Sequence, residues 1–149
     1  MSGSLVMVAV KDPAHADELA RLACQMARGT GAELMAISVA EIGPALPLDA
    51  EADILDQPAR QALERAAQVA AEICGGRIRT ALVRARAAGP ALVEEAQEHH
   101  ADVLVMGYHG GLGIGQILLG SCVQYVATHA PCRVILEIIP AVSHEHRPE

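Results

Sequence analysis

Residues 102–139 read DVLVMGYHGGLGIGQILLGSCVQYVATHAPCRVILEII. Asp102 to Met106 (DVLVM) is a short apolar run of the kind that forms a buried strand. A glycine-rich loop follows from Gly107 to Gly115. Gly107, Gly110, Gly111, Gly113, Gly115 and Gly120 fall within 14 positions, a density that lets backbone approach a ligand closely and supplies positive φ. Gly120-Ser121 opens a helix that runs to about His129. Pro131 ends it, and Arg133 to Ile139 (RVILEII) is another apolar strand. A strand, a helix and a second buried strand read as a parallel pair joined by a right-handed crossover.

The pattern repeats toward the N-terminus. Leu5 to Val10 (LVMVAV) reads as a buried strand, and Asp12-Pro13 starts a helix after it. Asp is a favoured N-cap, and proline suits the first helical position. Leu19, Leu22, Ala23, Met26 and Ala27 recur at helical spacing as far as Arg28, and Gly29 and Gly31 end the helix. Glu33 to Ala40 is the second strand. Glu41 to Asp49, with Gly43, Pro44 and Pro47, is a loop. A long helix is expected between Glu51 and Cys74, with Pro58 in its first turn or kinking it. Ala62, Leu63, Ala66, Val69, Ala70 and Ile73 form its apolar stripe, and Gly75-Gly76 stops it. Arg77 to Arg84 (RIRTALVR) alternates in part and belongs near a sheet edge. Gly89-Pro90 opens a third helix, Ala91 to His99. No repeat or linker divides the chain. Residues 4–139 are expected to form one domain, followed by a polar tail at 140–149. A parallel sheet of this kind binds ligands at the carboxyl ends of its strands, where strand order reverses. The loops after the first and fourth strands are therefore the candidate site.

Composition narrows the function classes. The 149 residues suit one domain with a real core. Aromatic residues make up 1 %, so that core has to be built from Ala, Val, Leu, Ile and Met. A net charge of −7 attracts no nucleic acid over a broad surface, and the basic residues are not interleaved with aromatics for base stacking. No apolar run reaches the roughly 18 residues of a membrane span. The longest, Ile114 to Ala127, is broken by Gly115, Gln116, Gly120, Ser121 and Gln124. Met1 to Ser4 carry no charged segment leading into an apolar one, so no signal peptide is expected. Cys24, Cys74, Cys122 and Cys132 form no C-x-x-C pair. Cys24 and Cys74 read as small core residues. No metal site and a cytoplasmic location are the corresponding expectations.

Because Gly120-Ser121 opens a helix, its free N–H groups and dipole favour phosphate, and the Ser121 hydroxyl would add a hydrogen bond to a ligand or cap the helix. The spacing Gly107-x2-Gly110-x9-Gly120-Ser121 resembles the ATP-binding signature of the universal stress protein family, G-2x-G-9x-G-[S/T], position for position. The flanks ADVLVMGYHG and GSCVQYVATHAPCRVILEI resemble that family's closing segments, and Gly89-Pro90-Ala91 resembles its third crossover. The resemblance covers Leu5 to Ile139. It implies an α/β, Rossmann-like, parallel five-stranded sheet of order 3-2-1-4-5 with helices on both faces. It also implies an adenine nucleotide, ATP or a relative, with Mg2+ as an optional companion. The implied protein is a homodimer paired through its C-terminal strand that binds and regulates rather than catalyses. Carried over by position, Gly107, His109, Gly110, Gly120, Ser121, Cys122 and Val123 would surround the ribose and phosphates. Ala9, Val10, Lys11, Val39 and Met106 would line the nucleoside side.

Two positions differ from the family pattern. V-x-V-D usually ends the first strand, whereas this chain has Lys11 followed by Asp12. Neighbouring strand residues point opposite ways, so Asp12 is better read as the N-cap than as a replacement. Lys11 would contact a phosphate oxygen or block the ribose contact. No Lys or Arg occurs between Met106 and Pro131, so backbone N–H groups, Lys11 and Mg2+ would have to offset the charge of a triphosphate. Other chemistries fit poorly. There is no Gly-Lys pair for a Walker loop, Gly111, Gly113 and Gly115 run G-x-G-x-G after the wrong strand, and Ser121 is not in a G-x-S-x-G elbow. His144-Glu145-His146 reads as a solvated tail. His99-His100 suits the negative end of the third helix. His109 is either a ligand contact or an exposed loop residue, and is the nearest candidate base for a slow ATPase. A nucleotide-independent dimer acting as an interaction protein is the main alternative.

Overall fold

A computed structural model describes residues 4–50, 53–109 and 120–139. Strands β1 (Leu5–Ala9), β2 (Glu33–Glu41), β3 (Arg79–Ala85), β4 (Val103–His109) and β5 (Arg133–Ile139) form one sheet in the order β3-β2-β1-β4-β5. All four strand pairings are parallel. Helices α1 (Pro13–Thr30), α2 (Asp53–Ile73), α3 (Ala88–Glu98) and α4 (Ser121–His129) supply the crossovers. The fold is the single-domain, Rossmann-like arrangement expected, with β3 at an edge.

Side-chain alternation along β1 sorts the core into two halves. Val6, Val8 and Val10 pack with Leu34, Ala36 and Val105 against α1 and α2. Leu5 and Met7 pack with Met35, Ile37, Leu104 and Met106 against α3 and α4. Much of the helix surface at these contacts is alanine: Ala16, Ala20, Ala23, Ala27, Ala62, Ala66 and Ala70. Small side chains let the helices approach the sheet and each other closely, which replaces the bulk that aromatic residues would otherwise supply.

Local chemistry sets the element ends. Asp12 is the N-cap of α1, in extended conformation, and its carboxylate accepts the His15 N–H at 3.2 Å. Gly31 closes α1 at φ 73°, a left-handed position that favours glycine. After α2, Gly75 and Gly76 adopt φ 71° and 84°, and the Gly76 N–H returns to the Ala70 carbonyl.

Several boundaries differ from the sequence expectation. β4 continues through Gly107, Tyr108 and His109, where a loop was expected. β5 runs alongside and pairs Gly107 with Glu137 and His109 with Ile139. β1 ends at Ala9, although the Val10 N–H still donates to the Ile37 carbonyl. β3 begins at Arg79 rather than Arg77, because the Gly75-Gly76 turn precedes it. α3 begins at Ala88 rather than Ala91. Its N-cap, Ala87, has no capping side chain, and the Glu41 carboxylate from β2 accepts the Ala88 N–H at 2.8 Å instead. Pro58 lies inside α2.

The segment between β2 and α2 is held by Arg84 of the edge strand and by Arg86 just after it. Arg86 donates to the Gly43 and Leu46 carbonyls at 2.6 and 2.7 Å. Arg84 donates to the Ala50 carbonyl at 2.8 Å and forks onto Asp56 of α2, at 3.2 Å from Nε to Oδ1 and 2.5 Å from Nη2 to Oδ2. Asp56 is 1 % exposed. The Arg84 hydrogen bonds hold its carboxyl below the usual carboxylate range, against burial, which pushes the other way. A carboxylate whose folded-state pKa is depressed contributes stability above its unfolded pKa, and that contribution is lost as acid protonates it. Thermal unfolding of the intact chain is therefore expected to show stability falling as pH drops below about 4. Asp56→Asn should remove that part of the pH dependence and cost about 3 kcal/mol at neutral pH, because it leaves a partly buried guanidinium without its counter-charge.

Candidate functional site

Strand order reverses at β1, which pairs with β2 on one side and β4 on the other. The crossovers leave in opposite directions from there and open a crevice at the carboxyl ends of the strands. A cavity of about 530 Å³ lies there, within the usual size of a small-molecule site. Ala9, Val10 and Lys11 at the end of β1 reach it, as does Val39 of β2. Met106 and Gly107 of β4 and Gly120, Cys122 and Val123 at the start of α4 complete the part read from sequence. Ser121 is exposed and is not among the lining residues. It is the first residue of α4, while the N-cap is Gly120, so the Ser121 side chain does not cap the helix. His109 ends β4; its side chain, like the whole of Gly110, lies outside the described residues, as do His144, Glu145 and His146.

The cavity is broader than the motif residues. Ile37, Ala40 and Glu41 of β2, Tyr108 of β4, and Ala88 and Leu92 of α3 also line it. So do Asp12, His15 and Leu19 on the α1 side and Pro58 and Ala59 of α2. Glu41 and Tyr108 stand at strand ends, where the position of a ligand crevice in such sheets would have pointed to them. The helix residues carry no local signal. They arrive because α1 and α2 begin at the same edge of the sheet.

Charge around the cavity is mixed. Lys11, the chain's sole lysine, is exposed at the end of β1. Asp12 holds the start of α1, and His15 Nδ1 lies 3.3 Å from its Oδ1. Glu41 holds the start of α3. The Cys122 thiol sits in the field of both signs. Burial pushes its pKa up, Glu41 adds to that, and Lys11 opposes it. Among the described residues no side-chain hydrogen bond caps the start of α4, and the positive end of its dipole lies toward this region. Apolar walls, one lysine and a helix amino terminus suit a flat ring bearing an anionic group. Among the described residues no group of three or more His, Cys, Asp or Glu is placed to hold a metal ion.

These features define a class: a parallel α/β protein with a ligand crevice at its topological switch point. A sequence model of the universal stress protein family matches residues 5–136. The chain belongs to the universal stress protein family. It is 33 % identical to a universal stress protein of Methanocaldococcus jannaschii over 125 residues, 80 % of this chain and 72 % of that one. It is 31 % identical to one from Thermus aquaticus over 139 residues, 88 % of this chain and 96 % of that one. Solved structures agree on the fold. The Archaeoglobus fulgidus universal stress protein in complex with dAMP superposes with a TM-score of 0.70 at 24 % identity, covering 91 % of this chain and 98 % of that one. A universal stress protein in complex with cAMP superposes at 0.69 with 25 % identity, covering 91 % and 97 %. Among the described residues no helix is long and apolar enough to cross a membrane.

Gly89 sets how closely α3 and α4 approach. A Cβ built there meets Tyr125 Cβ at 3.0 Å and Cγ at 3.3 Å, and the Cys122 carbonyl oxygen at 3.4 Å. The Tyr125 atoms are anchored near the backbone and cannot swing aside. Gly89→Ala is therefore expected to cost about 1–2 kcal/mol in denaturant unfolding despite alanine's better helix propensity, because overpacking outweighs it.

Proposed function

We propose that this chain is an adenine-nucleotide-binding regulatory module that works as a homodimer. The observation that carries the reading is the start of α4 at Gly120, which meets the carboxyl ends of β1 and β4 across one cavity. The glycine signature Gly107, Gly110, Gly120 and Ser121 leads into that helix. The relative solved with cAMP supports the ligand class. In this reading ATP or a related nucleotide places its base against Ala9, Val10, Val39 and Met106. Its ribose and phosphates face Gly107, His109, Gly110, Gly120, Ser121, Cys122 and Val123. Lys11 supplies the cation that the segment from Gly107 to Pro131 lacks. Mg2+, where present, would offset part of the phosphate charge. The protein binds and signals occupancy rather than turning nucleotide over.

Purified without added nucleotide and then denatured, the protein is expected to release AMP, ADP or ATP detectable by mass spectrometry, or to bind Mg-ATP in titration. An empty protein that also fails to bind overturns the reading. Lys11→Ala should weaken a nucleotide about tenfold, the worth of one charge-assisted hydrogen bond, while leaving adenosine affinity unchanged. Unchanged nucleotide affinity would remove Lys11 from the site.

A second reading rests on Lys11 itself. If the lysine blocks the ribose contact, the same fold acts as a nucleotide-independent dimer, and Lys11→Asp creates nucleotide binding that the natural chain lacks. Both readings use the same interface. β5 is an edge strand with an apolar sequence, and Ile138 is 45 % exposed. Exposed apolar edges are normally covered, here by β5 of a second copy. Sedimentation is expected to show a dimer at micromolar concentration, and Ile138→Lys a monomer.

A further inference from the structure

Cys24 and Cys74 stand fifty residues apart in sequence and touch in the fold. Cys24 lies in α1 and is fully buried, and Cys74 follows the last residue of α2 and is partly exposed. The Cys74 Sγ lies 3.8 Å from the Cys24 carbonyl oxygen. Both pack in the core half shared by α1 and α2. Neither of the other cysteines shares this arrangement. Cys122 faces the cavity, and Cys132 lies beyond α4, between Pro131 and β5. Cys74 stands at the turn that ends α2, followed by Gly75 and Gly76 in left-handed conformation.

We propose that Cys24 and Cys74 form a reversible intramolecular disulfide when the protein meets a hydroperoxide, tying α1 to α2. The more exposed sulfur, Cys74, reacts first. Its thiolate attacks a peroxide oxygen, the O–O bond breaks, and Cys74 becomes a sulfenic acid with release of hydroxide, which takes up a proton as water. The Cys24 sulfur then attacks Cys74 Sγ. The S–O bond breaks, and the leaving oxygen departs as a second water with the proton that Cys24 gives up. Two thiols and one hydrogen peroxide yield one disulfide and two waters, and the two electrons pass from sulfur to peroxide. Burial and the neighbouring Cys74 push the Cys24 pKa up to about 12. The second step is therefore slow, which separates this pair from a dedicated peroxidase. A small-molecule thiol reverses the bond. The helices it joins carry His15 and Leu19, and Pro58 and Ala59, on the cavity wall, so the link stiffens one side of the candidate site.

The test uses the full reduced chain treated with hydrogen peroxide, quenched with an alkylating reagent after unfolding, and mapped by peptide mass spectrometry. The expected result is a cross-linked peptide pair holding Cys24 and Cys74, with the protein's own oligomeric state unchanged. Its Tm should rise by about 10–15 °C, as closing a loop of this length would give, and fall back with dithiothreitol. Cys74→Ser and Cys24→Ala should each abolish the cross-link and the Tm rise. Cys74→Ser, at a partly exposed helix end, keeps the test decisive if the core substitution does not fold. Cys74 accumulating as sulfinic acid while Cys24 still takes the alkylating reagent would overturn the proposal. So would Cys74 pairing with Cys122, with Cys132 or with a second chain.

Discussion

β1 is hydrogen-bonded to β2 on one side and β4 on the other, and that single reversal of strand order organises the molecule. Right-handed crossovers from a strand so placed must go to opposite faces of the sheet. Hence α1 and α2 cover one face and α3 and α4 the other. Both pairs of helices begin at the carboxyl edge, so their amino termini converge around one region. The cavity is the space left by this geometry, and the positive ends of helix dipoles are aimed toward it before any ligand-specific residue is considered.

Polar side chains then fix the rim. Three carboxylates work at helix amino termini or first turns on this edge. Asp12 caps α1 from its own strand-to-helix turn. Glu41 reaches from β2 to the first N–H of α3. Asp56, in α2, is locked to Arg84 of β3. At α4 the cap is Gly120, and among the described residues no side-chain hydrogen bond caps it. Two acids of the rim, Asp12 and Glu41, are engaged with backbone N–H groups, and Lys11 stands beside them.

Packing with almost no aromatic side chains places its own demands. Alanine-rich helix faces bring α1 and α2 close, and the same closeness sets the Cys74 sulfur against the Cys24 carbonyl oxygen. At α3 and α4 it requires Gly89, where a methyl group would press on Tyr125. Small residues here are set by the distance between elements rather than by local conformation. No reading of α3 or α4 in isolation would single out Gly89 for that reason.

The strands, the order of elements and the helix stops were legible in the sequence because they rest on near-neighbour physics: apolar runs, the Asp12-Pro13 start, and left-handed glycines at Gly31, Gly75 and Gly76. The glycine spacing from Gly107 to Ser121 likewise marked the family, since backbone approach to a ligand needs glycine at set intervals. Long-range contacts were not legible. β4 outran its expected end because β5 pairs with Gly107 to His109. α3 began early because Glu41, 47 residues upstream of Ala88, caps it. His15, Leu19, Pro58 and Ala59 joined the cavity because two helices start at one edge. The sequence by itself determined what each segment is and how it ends. Only the tertiary structure decided which segments meet, because those meetings depend on strand order and helix spacing that no stretch of chain encodes alone.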